Sequence, residues 1–217
     1  MSENKYYNAL RFYLLATKLK NKIRSGWDER HWNIDSERIE SIAEHVYGTC
    51  ILAISLDSEL DLKVDINKVL KMLVIHEIGE VLIGDITPFD NVTREQKRKI
   101  ERKAVIEVIG DLFKREELIS LMDEFDEHET EESKLAYYCD KLDADIQSKI
   151  YQDNGNHRPL SEQENNIVFR NKKVQQMLEE GVQTPFDIWY EWDKEIYKDN
   201  NDLSNILKYV KETDTRI

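Results

Sequence analysis

Apolar residues recur at three- and four-residue spacing along most of the chain, and no stretch alternates long enough to make a strand. The spacing predicts helices over Tyr6–Ile23, Arg38–Leu56, Ile66–Ile83, Thr93–Phe113 and Glu116–Glu127. Further helices are expected over Glu132–Tyr151, Ser161–Glu180, Pro185–Lys198 and Leu203–Glu212. Punctuation agrees with these limits: Thr184 precedes Pro185 as N-cap and first helical residue, and Gly181 follows the preceding helix. Three polar stretches read as loops: RSGWDERHWNIDS from Arg24, GDITPFDNVTRE from Gly84 and DNGNHRPLS from Asp153. The charged run TREQKRKIERK from Thr93 reads as a solvated helix face. The aromatic cluster Phe186, Trp189, Tyr190, Trp192 and Tyr197 reads as core or subunit contact. The fold class is all-α, one domain over residues 1–217.

One apolar helix breaks the pattern. In VLKMLVIHEIGEVLIGDITPFD, starting at Val69, His76, Glu77 and Glu80 interrupt a run of core residues, and Asp85 follows Gly84. Carboxylates in a dry setting are too costly to leave unpaired, so they are ion-paired, hydrogen-bonded or metal-bound. An ion-pair network with Arg11, Arg24 or Arg38 is the structural alternative. Two other helices carry comparable chemistry: ESIAEHVYGTCILA holds His45, and LAYYCDKLDADIQSKIY holds Asp140, Asp143 and Asp145. Helical spacing lines Asp143 up with Cys139, Ile146 and Ile150 along an apolar seam, which points it inward. Asp145 lies between Lys141 and Lys149 and is expected at the surface, with Asp140 intermediate. His31, His128 and His157 stand in polar contexts and are also assigned to the surface.

Composition narrows the function classes. With 31 basic and 44 acidic residues the net charge is −13, which repels nucleic-acid polymers. Three prolines and seven glycines in 217 residues suit a helical protein. Cys50 and Cys139 form no disulfide framework and no thiolate zinc motif, in keeping with a reducing cytoplasm. The N-terminal residues do not read as a signal peptide, and no apolar run is long enough to span a membrane. A soluble cytoplasmic protein without membrane partners is expected.

The ordered set of His45, the adjacent pair His76-Glu77 and Asp143 resembles the signature of HD-domain metal-dependent phosphohydrolases. The segments RSGW from Arg24, AEHVYG from Ala43, HEIGEVLIGDITPFD from His76 and KLDADI from Lys141 resemble the 5'-deoxynucleotidase branch of that family. The likeness runs from about residue 15 to 151, and the helices over about 161–217 would complete the bundle or a dimer interface. It departs at one position, where Glu77 stands in place of the usual aspartate.

The resemblance implies an HD helical bundle with a metal site at its centre. His45, His76, Glu77 and Asp143 would ligate one divalent transition metal, and two imidazoles with two carboxylates suit Mn, Co, Fe, Zn or Ni. Glu80 would be the catalytic acid-base residue. Asp85 would act in catalysis or hold the sugar, against the plainer reading of a turn residue. Arg24 would clamp the phosphate and Trp27 would wall the sugar, against an ion pair and a core aromatic. The implied reaction is hydrolysis of (deoxy)nucleoside 5'-monophosphates by a homodimer. The alternatives are an HD enzyme acting on deoxynucleoside triphosphates, cyclic nucleotides or alarmones, and a weakly catalytic nucleotide-binding protein resulting from Glu77.

Overall fold

The computed structural model describes residues 4–163 and 166–216, and among them the regular structure is helical. The α-helices are α1 (Asn4–Ala16), α2 (Ile42–Leu60), α3 (Ile66–Ile75), α4 (Glu80–Ile83) and α5 (Arg94–Ile109). They continue as α6 (Arg115–Glu127), α7 (Glu131–Asp153), α8 (Lys172–Glu179), α9 (Pro185–Asp193) and α10 (Asn201–Glu212). The all-α expectation holds; an isolated bridge between Ile23 and Ser41 is the extended pairing found among the described residues. Residues 164 and 165 of the expected helix Ser161–Glu180 lie outside the described residues; the rest of it is two 3-10 turns and the shorter α8. No helix among the described residues is long and apolar enough to cross a membrane.

The chain divides into two compact units. The first holds residues up to Arg24 and Glu40–Asp140; the second holds Ser25–Ile39 and Lys141 onward.

In the first unit, helix starts are set by side chains. Ser41 caps α2 in a reciprocal box: its hydroxyl accepts from the Glu44 amide, and the Glu44 carboxylate accepts from the Ser41 amide. The cap fixes the phase of α2, so Ile42, His45, Thr49, Ala53 and Leu56 fall on one buried stripe. Asp65 caps α3, whose Val69, Met72 and Leu73 are fully buried.

The expected helix Ile66–Ile83 is broken. Between α3 and α4 the amides of Ile78, Glu80 and Leu82 reach back three residues, to Ile75, Glu77 and Gly79. That is 3-10 spacing inside an otherwise α path, a departure that recurs at functional positions. Gly79 lets this tight segment lie on α5: a Cβ there would meet the Glu101 carbonyl and Val105 Cγ2, each at 3.2 Å. Gly84 ends α4 at φ 79°, ψ 170°, a conformation open essentially to glycine alone.

The second unit is built around aromatics. Trp27 stacks at a tilt on Trp189 with centroids 5.0 Å apart and meets Tyr151 edge-on at 5.3 Å. Trp32 contacts Phe169, Trp189 and His157. Phe186 and Tyr197 are buried too, so much of the late aromatic cluster is core.

Three polar residues expected at the surface are buried in this unit: His31, His157 and Asp145. Flanking lysines misled the reading of Asp145, because Lys149 turns to Asp153. The Tyr197 hydroxyl donates to Asp145 Oδ2 at 2.7 Å, and burial together with Asp193 pushes the Asp145 carboxyl well above its ordinary value. His31 Nδ1 lies 2.7 Å from Asp28 Oδ1.

His157 gives the second unit an acid sensitivity. Its Nε2 lies 3.1 Å from the Ser148 carbonyl, which can only accept, so the proton sits on Nε2. Its buried Nδ1 has no hydrogen-bond partner, and burial pulls the imidazole down to about 4. The unfolded chain, with an ordinary histidine near 6.5, binds this proton first as pH falls. The stabilisation is therefore complete above about pH 6.5 and is lost as pH falls towards about 4. We predict that His157→Gln narrows the gap between urea unfolding free energies at neutral and mildly acidic pH by about 2 kcal/mol. An unchanged gap would show that His157 titrates normally in the fold.

Candidate metal centre

Three segments of the first unit bring four donors together. His45 comes from the buried stripe of α2, His76 and Glu77 from the tight turns after α3, and Asp140 from α7. Asp140 Oδ1 lies 3.0 Å from His45 Nε2 and 3.7 Å from His76 Nε2. Glu77 Oε1 lies 3.7 Å from His45 Nε2 and 3.5 Å from His76 Nε2. The two imidazole rings stand 5.5 Å apart, and Phe125 packs on His76 at 5.4 Å. The histidines are almost fully buried.

Proton placement shows what this cluster lacks. His76 Nδ1 lies 2.7 Å from the Leu73 carbonyl, so it carries the ring proton and donates it. His76 Nε2 is then left with a bare lone pair, and this buried atom has no hydrogen-bond partner. Its nearest polar neighbours in the cluster are carboxylate oxygens, which are acceptors as well. Acceptors facing acceptors in a dry pocket call for a cation.

The spacing fits one. An ion with nitrogen and oxygen ligands at about 2.1 Å spans donors up to about 4.2 Å apart. The four distances above fall within that limit. The residues present therefore suit one transition metal held by His45, His76, Glu77 and Asp140.

Charge around the cluster is finely divided. Arg24 Nη1 donates to Glu77 Oε1 at 3.0 Å. Burial opposes the Arg24 charge, but Asp85, Glu77, Asp140 and Glu80 outweigh it and keep the guanidinium protonated. Burial likewise opposes the Glu77 charge, yet His76 and Arg24 hold that carboxyl at about 2. Glu80 goes the other way: burial, then Glu77 and Asp85, push its carboxyl well above the ordinary value. Glu80 Oε2 is buried without a hydrogen-bond partner. Two glutamates three residues apart are thus driven in opposite directions, the pattern that separates an anion from a proton carrier.

The HD domain family profile matches residues 16–182. The chain belongs to the HD domain family. HD domains are metal-dependent phosphohydrolases. Among its relatives, the 5'-deoxynucleotidase HDDC2 of Dictyostelium discoideum is 32% identical over 152 residues, covering 67% of this chain and 78% of that protein. The 5'-deoxynucleotidase HDDC2 of Danio rerio is 31% identical over 148 residues, covering 67% and 70%. A solved structure, the PH0347 protein of Pyrococcus horikoshii OT3, is similar in fold, with TM-score 0.64 at 24% identity, covering 94% of this chain and 98% of that one.

Within the HD fold two expectations change. Asp140 is the α7 aspartate that joins both histidines and Glu77, in the place expected for Asp143. The seam argument failed because α7 is buried around most of its circumference. Leu135, Ala136, Cys139, Leu142, Ala144, Asp145, Ser148 and Lys149 are all buried, so apolar neighbours do not single out one face. A usable signal was present: Ala136 and Ala144 flank Asp140 one turn either way, and small residues allow close packing there.

Trp27 is the second change. It is buried among Tyr151 and Trp189, a core residue and no exposed wall for a sugar. The substitution in the HD pair is accommodated, because the longer arm of Glu77 brings Oε1 within 3.7 Å of both imidazoles and onto Arg24.

The two aspartates of α7 can be told apart by elemental analysis of purified protein. Asp140→Ala is expected to weaken metal retention on the order of 100-fold or more, above the 10–100-fold typical of losing an outer partner. Asp143→Ala should keep its metal. The reverse result would restore Asp143 to the site.

Proposed function

We propose that this chain hydrolyses nucleoside 5'-monophosphates, deoxyribonucleotides preferred, to nucleoside and phosphate. The observation that carries this reading is the orphaned Nε2 of His76 among the oxygens of Glu77 and Asp140. The substrate class is supported by the relatives named above, which are 5'-deoxynucleotidases. His45, His76, Glu77 and Asp140 hold the ion, drawn from Mn, Co, Fe, Zn or Ni. When bound, such an ion acts as a Lewis acid that draws charge from the phosphoryl group and acidifies water.

The protein's own groups do the rest. A guanidinium has five donors, and Arg24 uses Nη1 on Glu77, so its remaining fork can bind the substrate phosphate beside the cluster. That contact matters most in the transition state, when charge spreads over the phosphoryl oxygens. As water attacks phosphorus and the bond to the 5'-oxygen breaks, the leaving alkoxide needs a proton. Glu80 supplies it, since its environment keeps the carboxyl protonated to higher pH than an exposed glutamate. Asp85 orients the sugar or the attacking water, a role supported by its electrostatic influence on Arg24 and Glu80. The enzyme works as a cytoplasmic homodimer, with a small-molecule nucleotide as its partner and no nucleic-acid polymer.

The test is phosphate release from a panel of deoxyribo- and ribonucleoside monophosphates by protein loaded with Mn or Co. Release is expected from the deoxy forms first. Glu80→Gln should lower kcat by about 10²–10⁴-fold with metal content unchanged. Equal turnover by wild type and Asp140→Ala would sink the proposal.

A further inference from the structure

Five large side chains stand exposed on one face of α1. Tyr6, Tyr7, Leu10, Tyr13 and Leu14 are 72, 62, 55, 58 and 52% exposed. At helical pitch they fall within a stripe about 120° wide that carries no charge. The opposite face is fastened down. Asn8 donates to the Asp111 carbonyl at 2.8 Å, and Arg11 donates to the Val108 and Glu107 carbonyls at 3.2 Å each. The helix is therefore tied to the C-terminal end of α5 with its apolar side turned to water.

Size and charge both point to what covers it. Three aromatic and two leucine side chains at these exposures present on the order of 500 Å² of apolar surface, near the upper end for a lone monomer. With a polar rim that approaches the roughly 800 Å² per partner of a standard interface. Residues 4–24 carry six basic side chains and no acidic one. The rest of the chain then holds 31 − 6 = 25 basic residues against 44 acidic, so two copies repel each other over most of their surfaces. At α1 no carboxylate faces carboxylate, and the like charges brought together are the lysines that flank the uncharged stripe.

We infer that this stripe is where a second copy of the chain docks, the two α1 helices packing on each other about a two-fold axis. The inference rests on the homodimer reading above and assigns it a surface; it is independent of the reaction. The flanking Lys5, Lys18 and Lys20 repel across such an interface, so added salt should strengthen the dimer. Binding of the same cations to an anionic lipid surface would weaken with salt.

Light scattering after size exclusion of the full chain should give twice the 25.8 kDa chain mass. The double variant Leu10→Glu, Tyr13→Glu should run at a single chain mass with its helical circular dichroism and metal content intact. In a Cys50→Ser background, Leu10→Cys should crosslink copies on mild oxidation. A wild type of single chain mass would overturn both the dimer and its interface. A dimer that survives the double variant would overturn the interface alone. Stripe-dependent sedimentation with phosphatidylserine vesicles by a monomeric wild type would assign the face to lipid instead.

Discussion

The first unit is organised around an electrostatic problem that protein atoms alone do not solve. Two imidazoles and two carboxylates meet where water is scarce, and the tautomer of His76 is fixed by the Leu73 carbonyl. That fixation turns a lone pair inward, onto oxygens that cannot donate to it. Burying such a group without a partner costs a few kcal/mol, comparable to a sizeable part of the whole stability of a domain. The fold tolerates that cost because a cation can resolve it, and the same cation equips the site for phosphoryl chemistry.

Several local features serve this arrangement. The Ser41–Glu44 box sets the phase of α2 and so the inward direction of His45. The tight turns after α3 place His76 and Glu77, neighbours in sequence, on one cluster, which a regular α-helix with about 100° between them does less readily. Gly79 lets that segment close onto α5 and carries Glu80 with it. Arg24 then holds Glu77 as an anion, while burial beside Glu77 and Asp85 raises the carboxyl of Glu80 well above its ordinary value. The opposite shifts of the two glutamates are a matter of neighbours and not of residue type.

The same balance of burial and partners explains the second unit. There Asp145 is held by Tyr197 beside Asp193, and burial among the surrounding aromatics keeps His157 neutral against the opposing pull of the Ser148 carbonyl. Each of these groups has one hydrogen-bonded atom, Asp145 Oδ2 on Tyr197 and His157 Nε2 on Ser148, and among the described residues neither joins a cluster of three or more metal-ligating side chains. They show that a buried titratable side chain is not by itself a sign of catalysis. What marks the cluster of the first unit is the bare Nε2 of His76, turned onto the oxygens of Glu77 and Asp140 with no donor to meet it.

The sequence determined the helical class, the polar interruption around His76, and the membership of His45, His76 and Glu77 in one chemical set. The first two follow from local spacing and from the cost of burying charge, both of which can be read along a line; the grouping of His45 with the other two follows from the resemblance to the HD-domain signature. The tertiary structure decided which aspartate of α7 joins them, that Trp27 and Asp145 are core, and that the segment after α3 abandons α spacing. A helix enclosed on nearly all sides has no outward face for a pattern to reveal, so the direction of Asp140 depends on which helices surround it. Likewise the uncovered stripe of α1 reads in sequence as an ordinary apolar helix, and only the placement of its other face on α5 shows which side is left to water.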